Sequence, residues 1–553
     1  MYAVKVGGDY TQSRMGSGTV FGDGIFNTKY VGITAYYAYE NRDIRVFEDN
    51  TSTLPMGWMH TNSSYKISSQ TNKYRVSIDL KLNQKHSLQL QADGFALTEY
   101  DDKTEYAQFS QVTLPNFYTY SLTESSPYQF NSSLNYNYQI DSIGQRLKFV
   151  ADYCKYRNTF NQQFYSTLEE DMPPTNPFMN YNNANSTFNL YTLSAGYVKP
   201  FLKKWTFETG AKYYAITSNS QTDILGSTNL LQNTSTNEQN IGVYASLSAA
   251  LSPSIYMTAG LRAERMSREL GKNSLKQIDT SQINLFSSFL INYKSSNNFS
   301  IGFSYSGRIS RPSIRALDPA VIVDSLSNQQ GNPYLESSLI HSFHLSTKLY
   351  NCLTIRLGYR YVLNPIYFVA YKDFDNPQVT NVRIVNGKNT DVYTASVIFD
   401  KDLFKWWSVS LSGSISTNKY LYLDKDGVQK NNNTPLTYFS TQNNFSLPWG
   451  VLFNLGFIWF KGSSGSIYNG ASSNLFASIQ KNWFNQKLSV ALSANDILRQ
   501  YITYETSVLN GNNLNVYDSD SRSITISISY KIGQSLYKYV SKAGNEEEQR
   551  RIR

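Results

Sequence analysis

Two arginines and an aspartate near the middle of the chain have the types and spacing that best suit ligand binding. Arg308, Arg311 and Asp318 lie where a predicted strand ends and a long connection begins. Guanidinium groups at such a position could contact an anionic ligand or the sugar head group of a lipid. The alternative, which we favour, is a loop folded inward, with Arg311 and Asp318 paired with each other or with the surrounding wall. Asn332 and Tyr334, farther along the same connection, are the other candidate ligand-binding residues.

Histidine spacing does not predict a metal site. The nearest pair among the 4 histidines is His341 and His344. Side chains three residues apart on a β-strand point to opposite faces, so one ion could not bind both. Asp101 and Asp102 form part of an acidic group in a long predicted loop, where a solvated loop tip is favoured over a cation site. The sequence has no phosphate-binding loop or nucleophile elbow, so we expect no metal ion, catalytic residue or cofactor.

Composition restricts the elements that could position the candidate residues. Aromatic residues make up 15% of the 553-residue chain and charged residues only 16%, below the roughly 25% charged residues of soluble globular proteins. Mean hydropathy is −0.42, and no run of about 18 apolar residues predicts a transmembrane helix. The net charge is +9, but Lys and Arg are scattered singly, so we do not expect nucleic acid as a partner.

Alternating apolar and polar residues predict β-strands with one apolar and one polar face. Apolar residues occupy the even positions from 74 to 82, with polar residues between them. The same period of two recurs at residues 255–264, 353–361, 408–416 and 524–532. Successive side chains of a strand point to opposite faces, which suits a barrel with lipid outside and water inside. A soluble sandwich could show the same alternation.

The lengths of the connections distinguish these two architectures. Short turns and long connections alternate along the chain, as they do in outer-membrane barrels, where the short turns are periplasmic. The short turns are near residues 27–29, 83–85, 141–145, 200–204, 252–254, 294–298, 350–352, 401–405, 448–450 and 484–486. The long connections include residues 43–72, 98–127, 157–188, 218–238, 308–339, 370–384, 421–435 and 496–521. The chain is therefore predicted to be all-β, a transmembrane antiparallel β-barrel of about 22 strands with both termini in the periplasm.

Tryptophan positions support the same prediction. Trp205, Trp406, Trp407, Trp449 and Trp483 lie at or beside predicted short turns. Tryptophan prefers the membrane–water interface because its ring is apolar and its N–H group needs a partner. Five of these residues near one rim predict a periplasmic aromatic girdle.

Two regions follow from this interpretation. Residues 1–533 are predicted to form the outer-membrane β-barrel, and residues 534–553 a charged, solvated periplasmic tail rich in Glu and Arg. Residues 1–20 contain no apolar segment of the kind found in signal peptides. Because a barrel of this class must be exported, we expect that an N-terminal portion lies upstream of Met1.

Several motifs resemble a known family. The stretches YSGRISRPS at 305–313, ALDP at 316–319 and QGNPYLE at 330–336 are similar to the outer-membrane β-barrel family of Bacteroidetes-type TonB-dependent receptors. HSFHL at 341–345, NDIL at 495–498 and the closing strand at 522–533 resemble further motifs of that family. The resemblance extends over essentially the whole chain and implies a TonB-dependent receptor barrel. It also implies a plug domain and a TonB-type energy-transducing complex as partners, and the plug is not part of this sequence.

The resemblance leads to an expected function. A receptor of this type would sit in outer-membrane lipid, capture an extracellular ligand and transport it through a plug-gated lumen. The ligand would be scarce or too large for porins: a metal chelate, a peptide or an oligosaccharide. A passive pore or a surface adhesin is the main alternative, and an outer-membrane enzyme is a third.

Overall fold

The computed structural model describes residues 2–54, 57–111, 114–171, 179–202, 204–226, 229–296, 298–318, 321–323, 326–372, 379–418, 420–423, 429–432, 434–464, 467–499, 502–508, 511–533 and 544–552. Its strands are β1 (Tyr2–Gln12), β2 (Gly16–Asn27), β3 (Val31–Leu54), β4 (Gly57–Lys81), β5 (His86–Phe109), β6 (Phe117–Ser125), β7 (Tyr128–Gln139), β8 (Arg146–Leu168), β9 (Asn180–Phe201), β10 (Trp205–Leu225) and β11 (Leu230–Ser252). The chain continues with β12 (Ile255–Lys272), β13 (Leu275–Ser296), β14 (Phe299–Ser310), β15 (Val321–Val323), β16 (Ser327–Gln330), β17 (Ser338–Leu349), β18 (Leu353–Leu363), β19 (Ile366–Lys372), β20 (Thr380–Asn386) and β21 (Thr390–Phe404). The last strands are β22 (Trp407–Asn418), β23 (Tyr420–Leu423), β24 (Gln429–Asn432), β25 (Leu436–Leu447), β26 (Val451–Ser464), β27 (Ile467–Trp483), β28 (Leu488–Asn495), β29 (Ile502–Val508), β30 (Gly511–Asp518) and β31 (Ser523–Gly533).

Helical elements in the described part of the chain are short. They are α1 (Ile314–Leu317), α2 (Glu546–Ile552) and two 3₁₀ turns at Glu169–Asp171 and Pro448–Gly450. Among the described residues, no helix has the length and apolar character that crossing a membrane as a helix requires.

The main sheet closes on itself. β1 pairs antiparallel with β2 on one side and with β31 on the other, from Ala3 opposite Gly533 to Gln12 opposite Ile524. β6 and β7 occupy one position between β5 and β8, and the pairs β28–β29 and β30–β31 also share positions. The result is a closed 22-stranded antiparallel barrel, which confirms the predicted fold class. Closure pairs the first strand of the sheet with the last, as a barrel surrounded by lipid requires.

The two faces of the wall differ as the alternation predicts. Leu261 on β12 is 59% exposed and points outward, whereas Glu264 and Arg268 on the same strand point inward and are buried. On β4, Val76 is exposed and Ser77 is buried. The strands therefore present apolar side chains to the outside of the barrel and mostly polar side chains to its lumen.

The predicted short turns all lie at one end of the barrel, called here the short-turn end. They join β2 to β3, β4 to β5, β7 to β8, β9 to β10, β11 to β12, β13 to β14, β17 to β18, β21 to β22, β25 to β26 and β27 to β28. The aromatic girdle is at the same end. The rings of Trp406 and Trp407 stack on Phe445, with ring centroids 6.1 and 5.7 Å apart, and Trp449 is 87% exposed. The predicted clustering of tryptophan at one rim is thus confirmed.

Several predicted loops are in fact strands. The predicted connections at 43–72, 98–127, 157–188 and 218–238 fall largely within long strands such as β3 and β4, of 24 and 25 residues. Asp101 and Asp102 accordingly lie within β5 and not at a loop tip. The prediction was wrong because both faces of a strand are polar beyond the apolar band, so the period of two disappears although the ladder of backbone hydrogen bonds continues.

The opposite rim is called here the long-loop end. β15, β16, β20 and β19 form a small separate sheet from two of the long connections, and β23 pairs with β24. The wall is uneven in height, because β8 to β11 have 21–23 residues whereas β14 and β17 have only 12. The candidate site lies against the inner face of the tall side.

Candidate functional site in the lumen

A buried carboxylate on the inner wall, Glu238, is the centre of the candidate site. The register of β10 and β11 places Ile216 beside it, and the register of β11 and β12 places Arg268 beside it on the other side. Residues directly opposite each other on neighbouring strands point to the same face, so all three side chains point into the lumen. Glu238 is 0% exposed, and its carboxylate therefore depends on protein donors for its hydrogen bonds.

Three side chains donate hydrogen bonds to Glu238. Arg551 binds both carboxylate oxygens, with Nη1 2.6 Å from Oε1 and Nη2 2.9 Å from Oε2. Arg268 Nε lies 2.9 Å from Oε2, and Tyr214 Oη lies 2.9 Å from Oε1. Bidentate and charge-assisted geometry offsets much of the cost of removing these charges from water. We call Glu238, Arg268, Tyr214 and Arg551 the luminal cluster; it has one negative and two positive charges.

Arg551 comes from the C-terminal helix α2, which lies inside the barrel. Lys212 Nζ on β10 is 2.7 Å from Glu548 Oε1, and Gln129 Nε2 donates to Gln549 Oε1 at 3.2 Å. Burial lowers the pKa of the Arg551 guanidinium, but Glu238 raises it by more, so the net direction is upward and Arg551 stays charged. Ile552 is 2% exposed. The helix is therefore held on the inner wall by charged, polar and apolar contacts.

The position of α2 corrects the expectation of a solvated tail. Glu548, Arg551 and Ile552 are spaced three and four residues apart, so they share one face of a helix, and that face is buried. The tail is rich in charge, but the wall supplies a partner for each charge on this face, and the exposed Glu546 and Arg550 lie elsewhere on the helix. Residues 534–543 lie outside the described residues, and the compartment of the region 534–553 stays a prediction.

After β14 ends, residues 311–318 fold back into the lumen, and residues 331–335 return beside them. The described residues of 311–335 are called here the inward segment. Ser313 caps α1, its side-chain oxygen accepting a hydrogen bond from the backbone N–H of Ala316 at 3.1 Å. An N-cap of this kind satisfies one of the free N–H groups at a helix start. The helix presents Ile314 and Leu317, which are 3% and 0% exposed, to the barrel wall.

An apolar cluster joins the inward segment, the wall and α2. Its buried members are Cys154, Phe188, Leu190, Tyr214, Ile216, Leu270, Ile314, Leu317, Leu335, Ile384 and Ile552. Burying apolar surface here stabilises the inward position of the segment, at roughly 25 cal/mol for each Å² removed from water. The lumen thus contains a small core of its own on the tall side of the barrel.

The candidate residues from the sequence are separated by the fold. Arg311 forms an ion pair with Glu264 on β12 and donates to Asn240 Oδ1 at 3.2 Å. Asp318 Oδ2 accepts a hydrogen bond from Thr234 Oγ1 at 3.1 Å. Arg311 and Asp318 thus each bind the wall, as the inward-loop interpretation predicted. These contacts tie the residues on both sides of α1 to β11, and Arg311 also to β12.

The remaining candidates have different surroundings. Asn332 Nδ2 donates to the Ile384 carbonyl at 3.0 Å, so it supports the inward segment, and Tyr334 is 71% exposed. Arg308 is exposed on the inner face of β14. It lines, together with Arg311, a luminal cavity of about 660 Å³ whose other side is α2. A ligand-binding role for these five residues stays a prediction.

The luminal cluster was not found from the sequence. Glu238 falls in a polar stretch that predicted an outer loop, and Arg551 falls in a tail that predicted solvation. The helical spacing of Glu548, Arg551 and Ile552 was the available signal, but it does not name a partner more than 300 residues away in the chain. Within the described residues, no group of three or more His, Cys, Asp or Glu side chains is arranged to hold a metal ion.

Comparison with known proteins agrees with this architecture. The model of the outer membrane protein beta-barrel family matches residues 138–530. Among solved structures, the siderophore receptor PirA from Pseudomonas aeruginosa is 11% identical with a TM-score of 0.60, covering 96% of this chain and 80% of that chain. The ferric yersiniabactin uptake receptor FyuA from Yersinia pestis is 10% identical with a TM-score of 0.62, covering 96% and 80%.

A third similar structure is the ferric-catecholate import receptor Fiu from K12 E. coli, 9% identical with a TM-score of 0.63 and covering 96% of this chain and 82% of that chain. At these identities the likeness establishes the fold. No curated protein sequence matches the chain.

Proposed function

The chain belongs to the outer membrane protein beta-barrel family, and from this premise we propose that it is an uptake receptor of the TonB-dependent type. In this proposal a scarce or bulky ligand is captured at the long-loop end, which faces the medium. It then passes through the lumen to the short-turn end, which faces the periplasm together with the start of β1 and the end of β31. The proposal assigns no catalytic residue and no cofactor.

The width of the barrel is the observation that carries the proposal. A 22-stranded barrel encloses a lumen wider than that of the 16- to 18-stranded porins, and such lumens are plugged in outer-membrane transporters. The similar solved structures include receptors for siderophores and ferric chelates, which are ligands of the scarce and bulky kind. A gated lumen of this width suits a ligand that porins exclude.

The proposal includes two partners. A plug domain would gate the lumen, and a TonB-type energy-transducing complex would displace the plug at the short-turn end. The fold shared with TonB-dependent siderophore receptors supports both. The four residues of the luminal cluster all come from this chain.

A metal chelate with anionic donor groups is the ligand class that the exposed Arg308 favours, with a peptide or an oligosaccharide as the other options. The carboxylates of Glu546 and Glu547 line the α2 side of the same cavity. Arg308 is exposed inside the barrel and borders the cavity next to Arg311. A guanidinium group in a lumen that is partly shielded from bulk water attracts carboxylate or catecholate oxygens more strongly than it would in bulk water. Arg311 is already bound to Glu264, so Arg308 is the more available of the two for a ligand.

The test is uptake by cells that produce the full chain together with its plug domain in the outer membrane and lack their own ferric-chelate receptors. The probe is radio-iron-labelled ferric enterobactin, with a labelled maltoheptaose as the oligosaccharide probe. A receptor gives saturable accumulation that a protonophore abolishes. Accumulation that rises linearly with concentration and ignores the protonophore indicates a passive pore. Surface binding without accumulation indicates an adhesin, and either result would refute the proposal.

A matched pair of variants tests the ligand site. We expect Arg308→Ala to raise the half-saturating concentration of ferric enterobactin about tenfold, the effect of losing roughly 1.4 kcal/mol of binding free energy. Lys348→Ala is the control. Lys348 is on β17, which pairs with β14, but it lies next to the short turn after β17 and far from the cavity that Arg308 lines. Equal uptake by both variants would exclude Arg308 as a ligand contact.

A further inference from the structure

We propose that α2 is a latch that holds the inward segment against the barrel wall, with Glu238 as the catch. The inward segment follows β14 in the chain, whereas α2 lies at the C-terminus, yet the two meet inside the lumen. The latch concerns what keeps the lumen arranged as it is. It goes beyond the uptake proposal and does not depend on the identity of a ligand.

Both ends of the inward segment are held by the guanidinium groups that share Glu238. Arg551 Nε donates to the Pro312 carbonyl at 3.1 Å, at the start of the segment. Arg268 Nη1 lies 3.5 Å from the Leu335 carbonyl, at its end. Because one buried carboxylate orients both arginines, the loss of Arg551 would remove the tie at Pro312 and leave the second end with a rearranged partner. The first end would then be held by Arg311 alone, through Glu264 and Asn240. The catch is therefore a single group that acts on both ends of the segment.

Apolar packing ties α2 to α1 directly. Ile552 belongs to the same buried cluster as Ile314 and Leu317. These side chains would lie against water or open lumen if α2 left the wall, and full burial of one such side chain contributes about 1.5–3 kcal/mol. The position of α1 thus depends on the presence of α2 as well as on the wall.

A second set of contacts fixes the start of the helix. Lys212 Nζ donates to the Gly544 carbonyl at 2.9 Å and to Glu548 Oε1 at 2.7 Å, and Gln129 binds Gln549. A helix of this length is not stable alone in water, so these tertiary contacts hold it in shape. Contacts at both ends give α2 one defined position on the wall.

A short helix held by a few ion pairs is suited to release. When α2 leaves, Glu238 keeps Arg268 and Tyr214 but loses its bidentate partner. The device therefore has two states, latched and released. In the released state the inward segment keeps its contacts through Arg311 and Asp318 but loses those to α2.

Hydrogen–deuterium exchange with mass spectrometry on the full chain in detergent micelles tests the latch. We expect Arg551→Ala to speed exchange of the amides at 314–317 and 332–335 by at least about tenfold, since local opening free energies set exchange rates. Arg550→Ala is the matched control, because it removes the same charge from an exposed position on the same helix. Equal exchange in the two variants would overturn the proposal.

Two further measurements distinguish release of α2 from unfolding of the barrel in the Arg551→Ala variant. Heat-modifiable migration on gels reports whether the barrel is folded, and the barrel strands should exchange as in the parent protein. A chain that ends at residue 543 should show the same fast exchange at 314–317, and a synthetic peptide of residues 544–553 should slow it again. A peptide of scrambled sequence should have no effect. If the peptide of residues 544–553 slowed exchange no more than the scrambled peptide, α2 would not be the latch, whatever the outcome of the uptake assay.

Discussion

The assignment of the two wall faces can be tested by placing the same charge on each of them. Leu261 is 59% exposed on the outer face of β12. It follows Ile255, the first residue of the strand, by about 20 Å along the strand, which a tilt of roughly 40° converts to a height of about 15 Å. The apolar band of such barrels is about 25 Å tall, so Leu261 lies near its middle, where a charge is least tolerated.

We expect Leu261→Arg to lower the free energy of unfolding by about 2–4 kcal/mol, the cost of an arginine facing lipid near the bilayer midplane. Ser288→Arg is the matched control. Ser288 lies opposite Gly260, at the same height but on the inner face, where the guanidinium group stays in the aqueous lumen. Its effect should be below about 1 kcal/mol, as for most surface substitutions.

The measurement is a urea titration of the barrel folded into lipid vesicles, followed by tryptophan fluorescence. Unfolding must be shown to be reversible, because only then does the midpoint report a free energy. Equal destabilisation by the two variants would mean that both faces meet the same medium. A larger effect of Ser288→Arg would mean that the inside and outside of the barrel had been exchanged, and either result would refute the assignment.

Three further predictions concern single contacts. The first is a double-mutant cycle of Glu238→Gln and Arg551→Gln, measured by hydrogen exchange at the amides of α2. The coupling free energy should be at least about 1.5 kcal/mol, as for other close charge pairs. Additive effects would mean that the interaction between the two side chains contributes nothing. Trp449, as the only tryptophan left in a variant, should be quenched by lipids brominated near the head group more than by lipids brominated at the chain ends; the reverse order would contradict an interfacial girdle. Ser313→Ala should destabilise the inward position of α1 by about 1 kcal/mol because it removes the N-cap. The loss should appear as faster hydrogen exchange at the Ala316 amide. Ser313→Thr, which keeps the cap, should leave that exchange rate unchanged.

The parts of the fold that the sequence predicted are those that lipid dictates. Where a strand crosses the apolar band, one face must be apolar and the other can be polar, so the alternation at 74–82 marks β4 directly. Short turns interrupt that pattern at regular intervals, and tryptophan at the rim marks its boundary. Each of these signals is local, because each reports the medium that a residue meets and not the residue that it contacts.

The upper parts of the long strands could not be predicted in the same way. From about residue 43 of β3 onward, both faces meet water or other polar groups, so sequence periodicity no longer distinguishes a strand from a loop. What keeps Asp43 opposite Ser68 and Thr53 opposite Trp58 is the continuing ladder of backbone hydrogen bonds between neighbouring strands. A backbone ladder leaves little trace in side-chain composition, and the prediction of long outer loops failed for that reason.

The luminal cluster could not be predicted for a different reason, which is the distance along the chain between its members. Glu238 and Arg551 are ordinary charged residues within their own neighbourhoods, and each was best interpreted as solvated. Together they form a bidentate pair with no exposure of the carboxylate. Removing either member alone would leave a buried charge with too few partners, at a cost of about 3–5 kcal/mol if nothing relaxed.

The free-energy cost of removing Glu238 differs from that of removing Arg551 because the remaining partners are not equally able to move. Arg551 sits on a terminal helix that is not paired into the barrel wall, so in the latch proposal replacing Glu238 allows α2 to leave the wall and Arg551 to regain water. Arg268 is part of a paired strand and cannot leave, so it bears the remaining penalty. Glu238→Gln should therefore release the helix and also weaken the wall locally, whereas Arg551→Gln should release the helix and leave Glu238 bound to Arg268 and Tyr214. This asymmetry follows from which partner is anchored in the barrel, and it separates a latch from a purely structural ion pair.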